Sequence, residues 1–270
     1  MTTFHLPPAP GPVRGVLLEA GYLIGFAVQA VVGLVRAVVT RRLSLGETLS
    51  QIRFIGRVST GPALLVMIPI GVFIAVSVGE LAGRIGAGGY SGAVVAFIIV
   101  GQASALVCAL MMAGVAGAAI CTDLGSRTIR EEIDALQVMG IGVIDRLVAP
   151  RLVATVIVSV VLCGIVTFGG VLACYLYHVY VQQLPGGAFL ATFRQYGRLS
   201  DFLVALLKAA VFGAVATIVA TFKGLHTRPG SQGVADAVNE AVVIAFAAVF
   251  VLNAAISALY SAVVPPVGTY

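Results

Sequence analysis

Residues 63–78 read "ALLVMIPIGVFIAVSV" and residues 152–177 read "LVATVIVSVVLCGIVTFGGVLACYLY", neither with a single charged side chain. No other feature constrains the fold as much. Apolar runs recur at about 15–40, 61–80, 92–121, 147–181, 201–222 and 237–264. Most of them approach or exceed the roughly 20 residues an α-helix needs to cross a ~30 Å hydrocarbon core. The runs are continuous rather than alternating with period two, so a transmembrane β-barrel does not fit. Only 10% of the 270 residues are charged, against roughly 25% in soluble domains. The sequence therefore predicts an all-α polytopic membrane protein.

The distribution of lysine and arginine sets the orientation. Arg14, Arg36, Arg41, Arg42, Arg53, Arg57, Arg127, Arg130, Arg146, Arg151, Lys223 and Arg228 fall on one side of the expected spans. Only Arg84, Arg194 and Arg198 fall on the other. The connections at 123–146 and 223–232 are thus expected in the cytoplasm. The first run, with Arg14, Glu19, Gln29 and Arg36 in it, is expected to form an amphipathic or half-inserted interfacial helix; a sixth span is the alternative. Five spans would leave the N-terminus cytoplasmic and the C-terminus periplasmic. The net charge of +5 is accounted for by basic loops beside anionic lipid and asks for no nucleic acid. Cys108, Cys121, Cys163 and Cys174 lie in or beside apolar runs at spacings unlike any metal site, as buried free thiols would. Ala113, Gly117 and Cys121 recur every four residues, a stripe of small side chains suited to close helix packing.

One stretch departs from this pattern: "SRTIREEIDALQVMG", residues 126–140. On a helix, Arg127, Arg130, Glu131 and Asp134 form a polar stripe, with Ile129, Ile133, Leu136 and Met139 beside it. Arg127 with Glu131 and Arg130 with Asp134 would be i, i+4 pairs worth a few tenths of a kcal/mol each. Gly140 or Gly142 would end the helix. A solvated loop with internal ion pairs and a docking surface for a cytoplasmic partner both fit these residues. Carboxylate chemistry fits poorly: adjacent Glu131 and Glu132 point about 100° apart on a helix, and no histidine is near. The chain holds no G-x-x-x-x-G-K-[ST] and no G-x-S-x-G or H-E-x-x-H, so any ATP hydrolysis would belong to another subunit.

The long string "GAAICTDLGSRTIREEIDALQVMGI" followed by "DRLVAPRLVA" resembles the signature of the MlaE/YrbE permeases, membrane subunits of ATP-binding-cassette lipid transporters. With "KGLHTRPGSQGVADAVNEAVV" (223–243) it is similar to the actinobacterial, mycobacterial Mce-associated YrbE proteins of A type. The resemblance covers about residues 50–262. It implies an N-terminal interfacial amphipathic helix, five transmembrane helices and a cytoplasmic coupling helix over 123–140. It also implies that Glu131, Glu132, Asp134, Ala135 and Leu136, flanked by Arg127 and Arg130, dock an ATPase. The partners implied are a homologous B-type YrbE in a heterodimer, an MceG-like ABC ATPase dimer that binds the ATP and Mg, and a hexamer of Mce proteins. No cofactor is expected in this chain. The cargo would be a hydrophobic lipid (sterol, fatty acid or phospholipid) moved across the plasma (inner) membrane, with import favoured. Where relatives often read "TQLGPL", this chain has "GQASAL" (101–106), which removes a helix-perturbing proline.

The expected organisation is a flexible tail over 1–12 and the interfacial helix with its connection over 13–60. The transmembrane permease domain would cover 61–264, followed by a tail over 265–270. Met67, Ile70, Phe73, Phe246 and Phe250 are candidates for lining a lipid cavity. Glu80, Lys208 and Glu240 are the costly charges in or near apolar runs. Glu80 and Lys208 could pair or snorkel, while Glu240 suits a cap or an arginine partner. A secondary transporter or channel built on these three charges, or a structural membrane scaffold of an envelope complex, is the alternative to a permease. In the loop 182–201, a short helix carrying Phe189, Phe193 and Tyr196 is expected to lie on the lipid surface or against Mce proteins.

Overall fold

The computed structural model describes residues 12–39, 44–84, 90–140, 142–183 and 185–263. Residues 1–11 and 265–270 of the expected tails, Arg41, Arg42 and residues 85–89 lie outside the described residues. The chain is all-helical there: α1 Pro12–Val39, α2 Leu45–Arg84, α3 Ser91–Ile129, α4 Glu132–Val138, α5 Ile144–Val181, α6 Gly186–Tyr196, α7 Leu199–Leu225 and α8 Ser231–Val263. Helices α2, α3, α5, α7 and α8 are each long and apolar enough to cross a membrane. The apolar stretch of α1, Gly21–Arg36, is shorter than a crossing requires. The protein is thus a multi-pass membrane protein with five spans and an amphipathic N-terminal helix.

Each span is longer than the apolar run that announced it. At 1.5 Å per residue, α2 is about 60 Å long, roughly twice the hydrocarbon core. It starts at Leu45, inside the stretch read as connection, and continues through Pro62 and Pro69. Helix α3 turns wider, π-helical, over Ala96–Ala103 and Met112–Ala116. The first wide segment covers the first half of "GQASAL" and ends two residues before Ala105, so this part of α3 is irregular without the proline. Helix α5 has similar wide segments at its two ends, Ile144–Val148 and Tyr177–Val181.

Helix α7 is central, packing on α3, α5 and α8, and α2 packs mainly on α5. Small residues permit the close approach, because a side chain at these points would collide with the neighbouring helix. A Cβ on Gly213 would lie 2.7 Å from Ser159 Oγ, and one on Gly224 would lie 2.9 Å from Leu124 Cβ. The expected stripe is buried, and a Cβ on Gly117 would reach Ala220 of α7 at 3.8 Å. Three thiols close the same seams as weak donors to backbone oxygens: Cys108 to Ser159 (3.2 Å), Cys163 to Ala205 (3.7 Å) and Cys174 to Gly71 (3.0 Å). Helix α1 lies against the basic-end halves of α5 and α7, with Phe26 5.5 Å from Phe222 and Ala30 buried beside Val148 and Leu152. At the opposite end α6 packs on the start of α3. Its Phe189 is buried against Tyr175 (5.6 Å) and His178 (5.4 Å). Phe189 is therefore a packing residue and not the surface contact expected of it.

Candidate functional site

The basic end of the bundle is held together by paired charges and short polar contacts. Helix α3 is fixed to α7 near its end, where Thr128 donates to the carbonyls of Leu124 (3.0 Å) and Gly224 (3.1 Å). One turn earlier, the Asp123 carboxylate accepts from Arg127 Nε at 3.3 Å and from Arg151 Nη2 of α5. Arg151 is only 1% exposed, and its Nη1 also donates to the Leu147 carbonyl at 3.0 Å. A guanidinium buried to this degree costs several kcal/mol unless it is paired, so Asp123 ties the end of α3 to the base of α5. Lys223 of α7 meets Glu240 of α8 at 2.6 Å. The charge opposite Glu240 is thus a lysine rather than the expected arginine.

The segment expected as one coupling helix over 123–140 is two helices with a corner between them. Helix α3 ends at Ile129. The Arg130 and Glu131 amides turn back to the carbonyls of Ser126 (3.3 Å) and Thr128 (3.1 Å). Glu131 sits in the left-handed region at φ 59°, a conformation costing an ordinary residue about 1 kcal/mol or more. Helix α4 then starts at Glu132 in a new direction, with Glu132 and Asp134 in its first turn, where the helix dipole favours acids. It stops before Gly140, whose φ of 74° suits glycine. The corner takes both expected ion pairs out of register: Arg127 bonds Asp123 rather than Glu131, and Arg130 bonds Glu132 at 3.0 Å rather than Asp134.

Helix α4 is anchored on one side and open on the other. Ile133 is buried and Leu136 packs against the core beside it. Glu131, Glu132, Asp134, Ala135, Gln137, Val138 and Met139 are exposed, Val138 to 89%. An acidic rim around an apolar tip can dock against a groove of basic and apolar side chains. Val138 and Met139 were not read from the sequence as an exposed apolar tip, although their position just before the helix-ending glycine is visible there. Asp123 was missed as well, and Arg151 was read only as a topology charge.

The remaining candidate residues separate. Met67 is buried under Gly170 of α5, where a Cβ on that glycine would collide with it. Ile70 packs at the edge of the core and Phe73 is exposed. Phe246 lies over Gly114, and Phe250 is exposed. An apolar groove of about 500 Å³ runs between α2 and α5 toward the other end, lined by Ile68, Val72, Ala173, Leu176, Tyr177, Tyr180 and Val181. Of the α2 stretch it uses Ile68 and Val72, about 100° and about 140° around the helix from Met67. Glu80 is exposed on α2 and does not pair with Lys208. Lys208 is buried and donates to Ser257 Oγ (2.8 Å) and Gln102 Oε1 (3.5 Å). Glu80, Lys208 and Glu240 therefore stand at three separate places and form no relay.

Comparison with known proteins finds membrane permeases among the relatives of this chain. The chain is 27% identical over 212 residues to a probable ABC transporter permease protein of Synechocystis sp., covering 78% of this chain and 81% of that one. It is 24% identical over 237 residues to the chloroplastic protein TRIGALACTOSYLDIACYLGLYCEROL 1 of Arabidopsis thaliana, covering 87% and 68%. A probable ABC transporter permease protein of Rickettsia typhi is 28% identical over 121 residues, 45% of this chain and 47% of that one. The family model for the permease MlaE matches residues 48–259, from early in α2 to late in α8. The chain belongs to the MlaE permease family.

Proposed function

We propose that this chain is the membrane-spanning permease half of an ATP-binding-cassette lipid transporter, energised by a separate ATPase that docks on α4. The observation that carries the reading is the mounting of α4. A short acidic and apolar helix projects from the basic end at a left-handed corner, and Asp123–Arg151 ties the preceding turn of α3 to α5. A push on α4 passes through α3 to α5, and through the Thr128 contact to α7. The span tilt that results would open or collapse a lipid path at the contact between two permease chains. The names of relatives as ABC transporter permeases support an ATPase partner, and this sequence has no nucleotide-binding motif of its own.

In this reading the basic end faces the cytoplasm, as the positive-inside rule requires, and the membrane is the plasma (inner) membrane. The N-terminus is cytoplasmic and the C-terminus periplasmic. The second permease chain is a B-type YrbE homologue, the ATPase is an MceG-like dimer holding ATP and Mg, and an Mce hexamer meets the outer end. The cargo is a hydrophobic lipid, imported. The support for these finer partners is the similarity of residues 223–243 and "REEIDAL" to the Mce-associated YrbE proteins.

The test is affinity purification of the full chain from its native membrane in mild detergent. The wild-type chain should bring down an ATP-hydrolysing subunit. Glu132→Arg with Asp134→Arg should lose that subunit and lipid uptake together, while the variant remains monodisperse. Uptake persisting after the ATPase is lost would overturn the reading, as would uptake driven by a proton gradient with no need for ATP.

A further inference from the structure

Arg151 is the one buried arginine among the described residues, and its donors are not all used. Nη2 meets the Asp123 carboxylate of α3 and Nη1 the Leu147 carbonyl, while Nε is buried with no partner among the described residues. Asp123 is shared, since Arg127 Nε also donates to it at 3.3 Å. A second carboxylate is close by on α2. Glu47 forms no ion pair with Arg151 here, yet its charge acts on the guanidinium. Its own partner is the neutral amide of Gln51, which donates to it at 3.0 Å.

The packing of α2 on α5 puts Glu47 there independently. The two helices run side by side in the same direction. Met67 with Gly170, Gly71 with Cys174 and Gly79 with Gln182 are contacts each spaced 103 positions apart. Carried back to the basic end, this register sets Thr48 level with Arg151 and Glu47 one residue away. Thr48 and Gln51 are both buried, as residues facing α5 should be. The four charges Asp123, Glu47, Arg127 and Arg151 balance, yet they are shared unevenly: one carboxylate holds two arginines and the other holds an amide. With Arg151 turned to Glu47, each carboxylate would hold one guanidinium. Two arrangements of the same charges, with no charged group left bare in either, make a two-state element.

Building on the permease reading, we propose that Arg151 changes partner during the transport cycle, passing from Asp123 of α3 to Glu47 of α2 when the docked ATPase moves α4. While Asp123 holds the guanidinium, a push on α4 reaches α5. The handover ends that link, leaves Asp123 to Arg127 and ties the base of α5 to α2, so the stroke has a fixed end point. Without Glu47, drawing Asp123 away would strand a buried guanidinium, which is costly. The unused Nε gives Arg151 the second donor with which a guanidinium forks onto a carboxylate. Glu47 is thus a positioning residue that acts through Arg151.

The test uses the full chain with Arg151→Lys, which keeps the charge and supplies an amine, purified in mild detergent together with its ATPase. Dicyclohexylcarbodiimide joins that amine to whichever carboxylate it touches. Mass spectrometry of the digested chain then reads the amide to Asp123 against the amide to Glu47. Without nucleotide the Asp123 amide should dominate. Trapping with ATP and vanadate should raise the ratio of Glu47 to Asp123 amide at least about tenfold. An unchanged ratio on trapping, or a Glu47 amide that already dominates without nucleotide, overturns the proposal. A second arm keeps Arg151. Glu47→Gln should retain the ATPase and the thermal midpoint of the isolated chain while lowering lipid uptake at least about tenfold, and Glu47→Asp should restore most of it. Unchanged uptake in Glu47→Gln overturns the handover, as does a fallen thermal midpoint with uptake per folded chain unchanged, because Glu47 would then only support the fold. If no ATPase follows the wild-type chain, the permease reading fails and the handover with it. An ATPase that follows, with ratio and uptake unmoved, sinks the handover alone.

Discussion

At the basic end, Arg151 and Lys223 each meet a carboxylate from another helix, Asp123 and Glu240. In the opposite half of the bundle, Lys208 is equally buried and meets only a hydroxyl and an amide oxygen. Each arrangement follows from the same cost of burying charge. A paired charge fixes two helices to one another, which suits an end that must move as a unit when pushed. An unpaired one keeps most of its desolvation cost, since a hydroxyl and an amide oxygen offset less of it than a carboxylate does. The two halves thus treat buried charge differently, one pairing it with carboxylates and the other leaving it to neutral partners.

The sharpest way to break this comparison is to remove a carboxylate from the basic end. Asp123→Asn leaves the Arg151 guanidinium buried without a counter-charge and should cost about 3 kcal/mol, the low end for a broken buried pair, because Asp123 itself is 35% exposed. Thermal unfolding of the detergent-purified chain would show it. The double variant Asp123→Asn/Arg151→Met should recover at least half of that loss. No recovery would mean that the pair does not join α3 to α5 as described. Lys208→Met should behave in the opposite sense in the same measurement. It removes an uncompensated charge, so stability should stay within about 1 kcal/mol of wild type or rise. A loss as large as that of Asp123→Asn would erase the contrast between the halves. The smallest effect is expected at the corner before α4: Arg130 and Glu132 are both exposed, and Arg130→Ala should change stability by less than about 0.5 kcal/mol.

Much of this architecture was legible in the sequence because its causes are local. Apolar runs announce spans, and Gly140 announces the end of α4. The bias of arginine and lysine picks out one end. What was not legible depends on partners far along the chain. Asp123 and Arg151 are 28 residues apart, and Lys208 meets residues 106 and 49 positions away. No periodicity encodes such meetings. The corner at Arg130–Glu131 was hidden for another reason. Glu131 takes a left-handed conformation with no glycine or proline beside it, so the local sequence reads as unbroken helix. Phe189 was misplaced because an aromatic on a short connecting helix looks the same whether it turns toward lipid or beneath the helix.

The measurement that bears most directly on the central claim is site-specific photo-cross-linking of the full chain in its native membrane. A benzophenone side chain would replace Ala135 on the exposed face of α4 and, in a second chain, Leu190 on α6 at the opposite end. The account predicts that position 135 captures a subunit with an ATP-binding motif, identified by mass spectrometry, and that position 190 does not. Capture of that subunit at 190, or of lipid alone at 135, would contradict it.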